Sequence, residues 1–255
     1  MVDVNSAFND TKIDYKILLL ILGTVILFQI YLEYFISEFI LHTFVVLLLI
    51  PAAFASGVMS LIVAKKYHSS KFALAFYSLP IGFFCAGIGE LLYYYFDLVN
   101  IDPFPSIADV FFILLYPFVM IHLIININFY QEKSTLKSKI AMISFALLII
   151  LLYAYCAFDT FESYNIDFFY GLIFVAGAAS ITSVGLYGVI VVRKIPLGRA
   201  WFLLVTGIVI GTIADVWYYG IELMDAYTLD HIVSLFWYAS YLIIIYALYK
   251  HYKIM

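Results

Sequence analysis

The sequence predicts an all-α fold, a polytopic transmembrane bundle of about eight helices that forms one integral membrane domain over residues 1–255. Hydrophobic residues make up 66% of the chain and charged residues 12%, against roughly 45–50% and 25% in soluble domains. The apolar residues also come in runs of about 20, the length of helix that crosses about 30 Å of hydrocarbon. Such a composition cannot build a water-exposed surface, so we expect the chain to reside in a lipid bilayer.

Eight apolar runs divide the chain into predicted helices. They cover 15–36, 39–64, 71–97, 106–130, 138–158, 167–193, 199–221 and 231–250. The first run is too long for the core of a signal peptide and no small-residue cleavage site follows it, so we expect it to remain a helix. Cys85 and Cys156 both fall inside predicted helices, which argues against a disulfide framework.

The charges between the runs predict an orientation. With eight helices, all 13 basic residues fall on one side: Lys12, Lys16, Lys65, Lys66, Lys71, Lys133, Lys137, Lys139, Arg193, Lys194, Arg199, Lys250 and Lys253. The connections on the other side carry only acids: Glu33, Glu38, Asp97, Asp102, Asp159, Glu162, Asp167, Glu222, Asp225 and Asp230. The positive-inside rule then predicts a multi-pass protein of the plasma membrane with both termini in the cytoplasm.

A shift of 125 residues superimposes the third and fourth runs on the seventh and eighth without a gap. Gly82 falls on Gly207, Glu90 on Asp215, Tyr93 and Tyr94 on Tyr218 and Tyr219, and Tyr116 on Tyr241. We therefore predict two half-repeats, about 15–130 and 138–250, although their first two helices match poorly. Each half has an even number of helices, so the halves share one orientation and are related by an axis along the membrane normal.

Apart from the acids already assigned to the connections, three acids lie within the predicted helices, namely Glu90, Asp109 and Asp215. A charge near the bilayer centre costs roughly 2.5–3.5 kcal/mol on insertion scales, so such residues usually face the bundle interior and mark a functional site. Each acid lies within about two turns of the outer end of its helix. We expect them to meet in the outer third of the bundle.

Aromatic residues surround these acids. Tyr93 and Tyr94 follow Glu90, and Trp217 and Tyr218 follow Asp215. Many such rings anchor helices at the headgroup level. Carboxylates among aromatic rings also suit a small cationic ligand, through charge and cation–π attraction. In the alternative, the acids are protonated and bond tyrosine hydroxyls as structural glue.

His231 opens the eighth predicted helix and is a further candidate near the acids. It would add an imidazole to their oxygen ligands, but the spacing fits no metal motif, and helix capping is the simpler role. A retinal pigment is not expected, because no helix interior offers a lysine for a Schiff base. We also find no motif for a cofactor or an enzyme active site, and we expect no nucleic-acid partner.

The segment 103–111, Pro-Phe-Pro-Ser-Ile-Ala-Asp-Val-Phe, is followed closely by Tyr116-Pro117. It indicates a stiff outer loop, an N-cap at Ser106, and an acid, Asp109, near the positive end of the helix dipole. It also resembles a signature of the multi-helix membrane modules that precede diguanylate cyclase and histidine kinase domains in bacterial sensors. The stretch 89–93 resembles that pattern too, and the resemblance covers chiefly residues 82–125.

That resemblance implies an input domain that senses a signal from outside or within the membrane. Few residues follow the eighth run, so we expect signalling through a partner protein. A small ion-coupled transporter or permease is the alternative, since parallel repeats and intramembrane acids occur there too. An accessory subunit of a membrane complex is also compatible, and a lipid-modifying enzyme is the least supported reading.

Overall fold

The computed structural model describes residues 13–35, 38–67, 70–101, 103–130, 135–161, 166–224, 227 and 231–254, without the side chains of 31–46, 70–72 and 159–161. Part of the charge pattern therefore lies outside the described residues or side chains: Lys12, Glu33, Glu38, Lys71, Asp102, Lys133, Asp159, Glu162, Asp225 and Asp230.

The described residues form eight α-helices and no β-strand. The helices are α1 Tyr15–Phe35, α2 Glu38–Lys66, α3 Ser70–Leu98, α4 Ile107–Tyr130, α5 Leu136–Phe161, α6 Ile166–Val192, α7 Gly198–Glu222 and α8 Val233–Ile254. Over these residues, seven helices are long and apolar enough to cross a membrane, and α1 contributes a shorter apolar stretch, Tyr15–Ile30. The predicted multi-pass helical bundle is confirmed.

Prolines lie inside three of the helices and do not end them. Pro51, Pro80 and Pro117 fall within α2, α3 and α4. Each proline removes one backbone hydrogen bond, but neighbouring helices and local adjustments allow this within a membrane. The end of α3 is set by Asn100, whose φ of 55° is left-handed and lets the Ile101 N–H reach the Phe96 carbonyl at 2.9 Å.

Six of the helices close into a ring. Contacts run from α2 to α3, α3 to α4, α4 to α6, α6 to α7, α7 to α8, and from α8 back to α2. The other two helices lie outside it, α1 against α8 and α5 against α6 and α7. The face of α5 away from the ring is strongly exposed, as at Leu148 and Leu151, which is expected of a helix that faces lipid.

Glycines at matching positions allow close approach within the ring. A Cβ on Gly82 would lie 3.1 Å from Phe118 of α4, and one on Gly207 would lie 2.6 Å from Ile244 of α8. Ser240 of α8 donates a hydrogen bond of 2.8 Å to the Gly207 carbonyl. Small residues therefore bring helices together at these two places.

The helix termini that carry basic residues meet at one end of the bundle. Lys66, at the end of α2, donates to the Tyr252 carbonyl near the end of α8 at 3.1 Å and lies 3.7 Å above the Tyr252 ring. The Asp14 N–H, just before α1, donates to the Tyr246 hydroxyl at 2.7 Å. The intramembrane acids lie toward the opposite ends of their helices.

Candidate functional site

The ring of helices encloses a cavity of about 110 Å³. Residues from all six ring helices line it, and they include Glu90, Asp109 and Asp215. A water molecule needs on the order of 10–15 Å³, so the cavity has room for several waters or one small ligand. The three acids expected to meet in the bundle interior do share one space.

Asp215 of α7 has protein donors on both carboxylate oxygens. The Tyr116 hydroxyl of α4 donates to Oδ2 at 2.9 Å, and the Trp237 indole N–H of α8 donates to Oδ1 at 2.8 Å. These bonds tie three ring helices together at one side chain. Such bonding matches the structural role considered for the acids.

Asp109 takes part in a capping box at the start of α4. Its Oδ2 accepts from the Ser106 N–H at 2.7 Å, and the Ser106 hydroxyl oxygen accepts from the Ala108 N–H at 3.1 Å. Each side chain thus satisfies a backbone donor at the helix start, as the sequence predicts for Ser106. Asp109 is only 2% exposed, and the Tyr170 hydroxyl lies next to its carboxylate.

Glu90 of α3 differs from the other two acids. It lines the cavity, yet no described residue donates a hydrogen bond to its carboxylate. The Tyr241 hydroxyl of α8 is close enough to interact electrostatically with Glu90, but it too makes no hydrogen bond to a described residue. A carboxylate and a hydroxyl without partners therefore face the same space.

Aromatic rings form much of the cavity wall. Tyr93 and Tyr218 both line it, and their hydroxyls are 3.4 Å apart. Phe104, from the proline-rich loop before α4, packs edge-on against Tyr218 with ring centroids 6.4 Å apart. The loop recognised in the sequence therefore reaches the aromatic wall.

Three of the predicted site residues lie away from the cavity wall. Trp217 is 40% exposed, and its ring contacts His231 edge-on at 5.6 Å. His231 Nδ1 accepts from the Val233 N–H at 3.2 Å, so it caps α8. Tyr94 is half-buried and is also absent from the cavity wall.

The donors to Asp215 were not among the predicted site residues. Tyr116 belongs to the Tyr-Pro pair that follows the segment 103–111, and it falls on Tyr241 under the 125-residue shift, which was a usable signal. Trp237 was not predicted, because nothing in its sequence context distinguishes a hydrogen-bond donor from a membrane anchor. Its role depends on how α7 and α8 face each other.

Polar groups continue through the ring toward the other end. Thr182 and Thr212 share a hydrogen bond of 2.6 Å. Deeper, His122 is fully buried and donates from Nδ1 to the Ala75 carbonyl at 2.9 Å, while its Nε2 has no partner.

His251 closes this series at the end of α8. Its Nε2 forms a hydrogen bond with the hydroxyl of Tyr67, the residue just after α2. Burial raises the pKa of this hydroxyl above its ordinary value, with a smaller contribution from Tyr130, so Tyr67 remains neutral.

Fold and site together define a multi-pass helical membrane protein whose ring of six helices encloses an acidic, aromatic cavity. Among the described residues, no group of three or more His, Cys, Asp or Glu side chains is placed to hold a metal ion. No protein-family model, curated protein or solved structure matches this chain.

Proposed function

We propose that this protein is a sensory module of the plasma membrane that binds a small cationic ligand in its cavity and signals through a partner protein. The observation that carries the proposal is that carboxylates from three helices share one cavity with several tyrosines and a tryptophan. Among the described residues that line it, none is a lysine or an arginine. Negative charge and aromatic faces together favour a cation.

The resemblance to bacterial sensor modules supports this proposal. Three of its signature residues contribute to the site: Ser106 and Asp109 form the cap of α4, and Tyr116 bonds Asp215. A signature whose members converge on one cavity is expected if that cavity receives the signal.

The proposed orientation places the cavity toward the outside of the cell. The acids stand toward the ends of α3 and α7 and at the start of α4, away from the bundle end where Lys66 meets Tyr252. By the positive-inside rule the basic end is cytoplasmic. A ligand would then enter from outside, and a partner would contact the cytoplasmic end.

We also propose that the two halves are repeats related by an axis through the cavity. Shifting α3 by 125 residues gives 195–223, close to α7 at Gly198–Glu222. The same shift relates Leu49 to Phe174, which both line the cavity, and Tyr93 to Tyr218, whose hydroxyls are 3.4 Å apart. The outer helices break this relationship, because α1 packs on α8 whereas α5 packs on α6 and α7.

Ligand-dependent stability tests the proposal. Purified protein in detergent would be unfolded thermally in sodium, methylammonium, guanidinium and choline chlorides at equal ionic strength. We expect at least one organic cation to raise the unfolding temperature, because a ligand that binds only the folded state stabilises it. The double variant Glu90→Gln with Asp215→Asn should lose that rise, whereas absence of any rise in the wild type would contradict the proposal.

A partner would be sought by crosslinking and purification of the protein from its native membrane. The signalling proposal expects a co-purified protein with a cytoplasmic kinase or cyclase domain. If the protein instead co-purified with a stable membrane complex that contains no kinase or cyclase domain, the result would favour the accessory-subunit hypothesis.

A small ion-coupled transporter is a second candidate, favoured by one observation. Polar groups extend from the cavity through the Thr182–Thr212 pair to the buried His122 and His251. Uptake of labelled methylammonium into proteoliposomes would test it. Uptake that disappears in Glu90→Gln would place transport above sensing.

A further inference from the structure

The cavity wall is built from residues that correspond under the 125-residue shift. Glu90 corresponds to Asp215, Phe112 to Trp237, and Tyr116 to Tyr241, and all six line the cavity. If both halves made the same contacts, Glu90 would accept one bond from residue 112 and one from Tyr241. The structure shows neither.

The first difference between the two halves is the ring next to each acid. Trp237 donates its indole N–H to Asp215 at 2.8 Å, but Phe112 at the corresponding position has no donor to offer. The Phe112 ring packs on the backbone before Glu90, since a Cβ on Gly89 would lie 2.9 Å from the ring. The side chain that could have satisfied Glu90 is therefore replaced by an apolar one.

The second corresponding bond is also missing. Tyr116 donates to Asp215 at 2.9 Å, whereas Tyr241 lines the same cavity as Glu90 and makes no hydrogen bond to it. An ionised carboxylate needs donors, and a protonated one needs an acceptor for its O–H. Glu90 finds neither among the described residues, so its requirement must be met from within the cavity.

Resting on the proposed function, we infer that Glu90 is the ligand anchor and that the ligand is a small ammonium ion bearing at least one N–H. The ammonium donates one N–H to the Glu90 carboxylate and, where it has a second N–H, donates that to the oxygen of Tyr241, while aromatic rings surround its alkyl part. Asp215 supports the wall through Tyr116 and Trp237 and does not anchor the ligand. The two corresponding acids thus have different roles.

The Glu90 carboxylate, which has no hydrogen-bond donor among the described residues, favours a ligand that carries an N–H. A quaternary ammonium is attracted by aromatic faces, but it has no N–H to donate and would leave Glu90 without a partner. A calcium ion takes six to eight oxygen ligands, whereas the Asp215 oxygens already accept from Tyr116 and Trp237 and Asp109 caps α4. A charged N–H donor meets the requirement with one short, strong hydrogen bond.

The test is binding of a graded series to the whole purified protein: methylammonium, dimethylammonium, trimethylammonium and tetramethylammonium chlorides, by calorimetry and thermal unfolding. We expect measurable affinity for the first three and affinity at least tenfold weaker for tetramethylammonium. Glu90→Gln should weaken methylammonium binding at least tenfold, and Tyr241→Phe should weaken it several-fold.

Two variants exchange the corresponding rings and act as matched controls. Phe112→Trp brings an indole donor to the Glu90 side of the cavity and should abolish binding in a protein that remains folded. Trp237→Phe removes a donor from Asp215 and should lower thermal stability, but methylammonium should still bind, because Glu90 gains no protein donor.

The outcomes separate this inference from the proposed function. Equal or tighter binding of tetramethylammonium overturns the inference, and so does binding that survives Glu90→Gln but is lost in Asp215→Asn. In both cases the cavity still binds a cation and the proposed function stands. If no cation in the series or in the broader set binds the wild type, both fail.

Discussion

The hydroxyl of Tyr116 donates a hydrogen bond of 2.9 Å to Oδ2 of Asp215. It joins α4 of the first half of the chain to α7 of the second across the cavity. Removing it would leave one carboxylate oxygen of a half-buried acid without this donor. We expect Tyr116→Phe to lower the free energy of unfolding by about 1–2 kcal/mol, measured by reversible unfolding in mixed micelles.

Tyr241→Phe is the matched control for this substitution. Tyr241 occupies the corresponding position on α8, and its hydroxyl bonds no described residue. The same atom is deleted from a ring of the same type, so the loss should be at most about 0.5 kcal/mol, as for changes that break no specific contact. Equal losses in the two variants would mean that the Tyr116 hydrogen bond adds nothing to stability.

Gly177 of α6 sets the position of Tyr116. A Cβ at residue 177 would lie 2.6 Å from Cδ2 of the Tyr116 ring, closer than packed carbon atoms allow. Gly177→Ala should push the ring away from Asp215 and destabilise the protein by about 1–3 kcal/mol, the usual cost of overpacking. Thermal unfolding measures this, with Gly220→Ala as the control.

Gly220 has no other atoms within 4 Å of an added Cβ. Gly220→Ala should therefore be neutral or slightly stabilising, since alanine favours a helix over glycine by up to about 1 kcal/mol. If Gly177→Ala behaved like Gly220→Ala, the close contact between α6 and Tyr116 would not exist in the protein.

Hydropathy predicted the helices because each one must satisfy its own backbone within lipid, which requires a continuous apolar run. The same rule made Glu90, Asp109 and Asp215 visible, since acids are costly there unless they face the interior. It did not separate Tyr93, which lines the cavity, from Tyr94, which does not. Consecutive residues point about 100° apart around a helix, and the sequence does not show which direction faces the ring.

The sequence also could not predict which helices α1 and α5 pack against. Every face of α1 and α5 is apolar, so no stripe marks the neighbour of either helix. Trp217 and His231 were predicted at the site because they follow or face the acids along the chain. In the fold their rings contact each other at 5.6 Å, away from the cavity wall. Within the cavity wall, it is Trp237 that bonds Asp215.

The capping box allows the structural role of Asp109 to be separated from ligand binding. Ser106→Ala removes the oxygen that accepts from the Ala108 N–H. We expect a loss of about 0.5–2 kcal/mol in the free energy of unfolding, as for other N-cap serines. Methylammonium affinity should stay within about threefold of the wild type, because Ser106 is not part of the cavity wall.

Calorimetry on Ser106→Ala checks this expectation, and Ser106→Thr, which keeps the hydroxyl, is the conservative control. Restored stability in the threonine variant would assign the loss to the cap. A large fall in affinity in Ser106→Ala would instead show that the start of α4 takes part in binding.

The orientation of the bundle determines which compartment the cavity serves, and single cysteines test it. In a background with Cys85→Ser and Cys156→Ser, Asn100→Cys lies in the turn after α3 and Lys194→Cys in the turn after α6. The positive-inside rule predicts that a membrane-impermeant maleimide labels residue 100 in intact cells and residue 194 only after permeabilisation. The acids lie toward the bundle end that includes residue 100. This labelling pattern would therefore place the cavity at the extracellular end, where it could receive extracellular cations. The reverse pattern would turn the cavity toward the cytoplasm, and an intracellular amine would then be the ligand to seek.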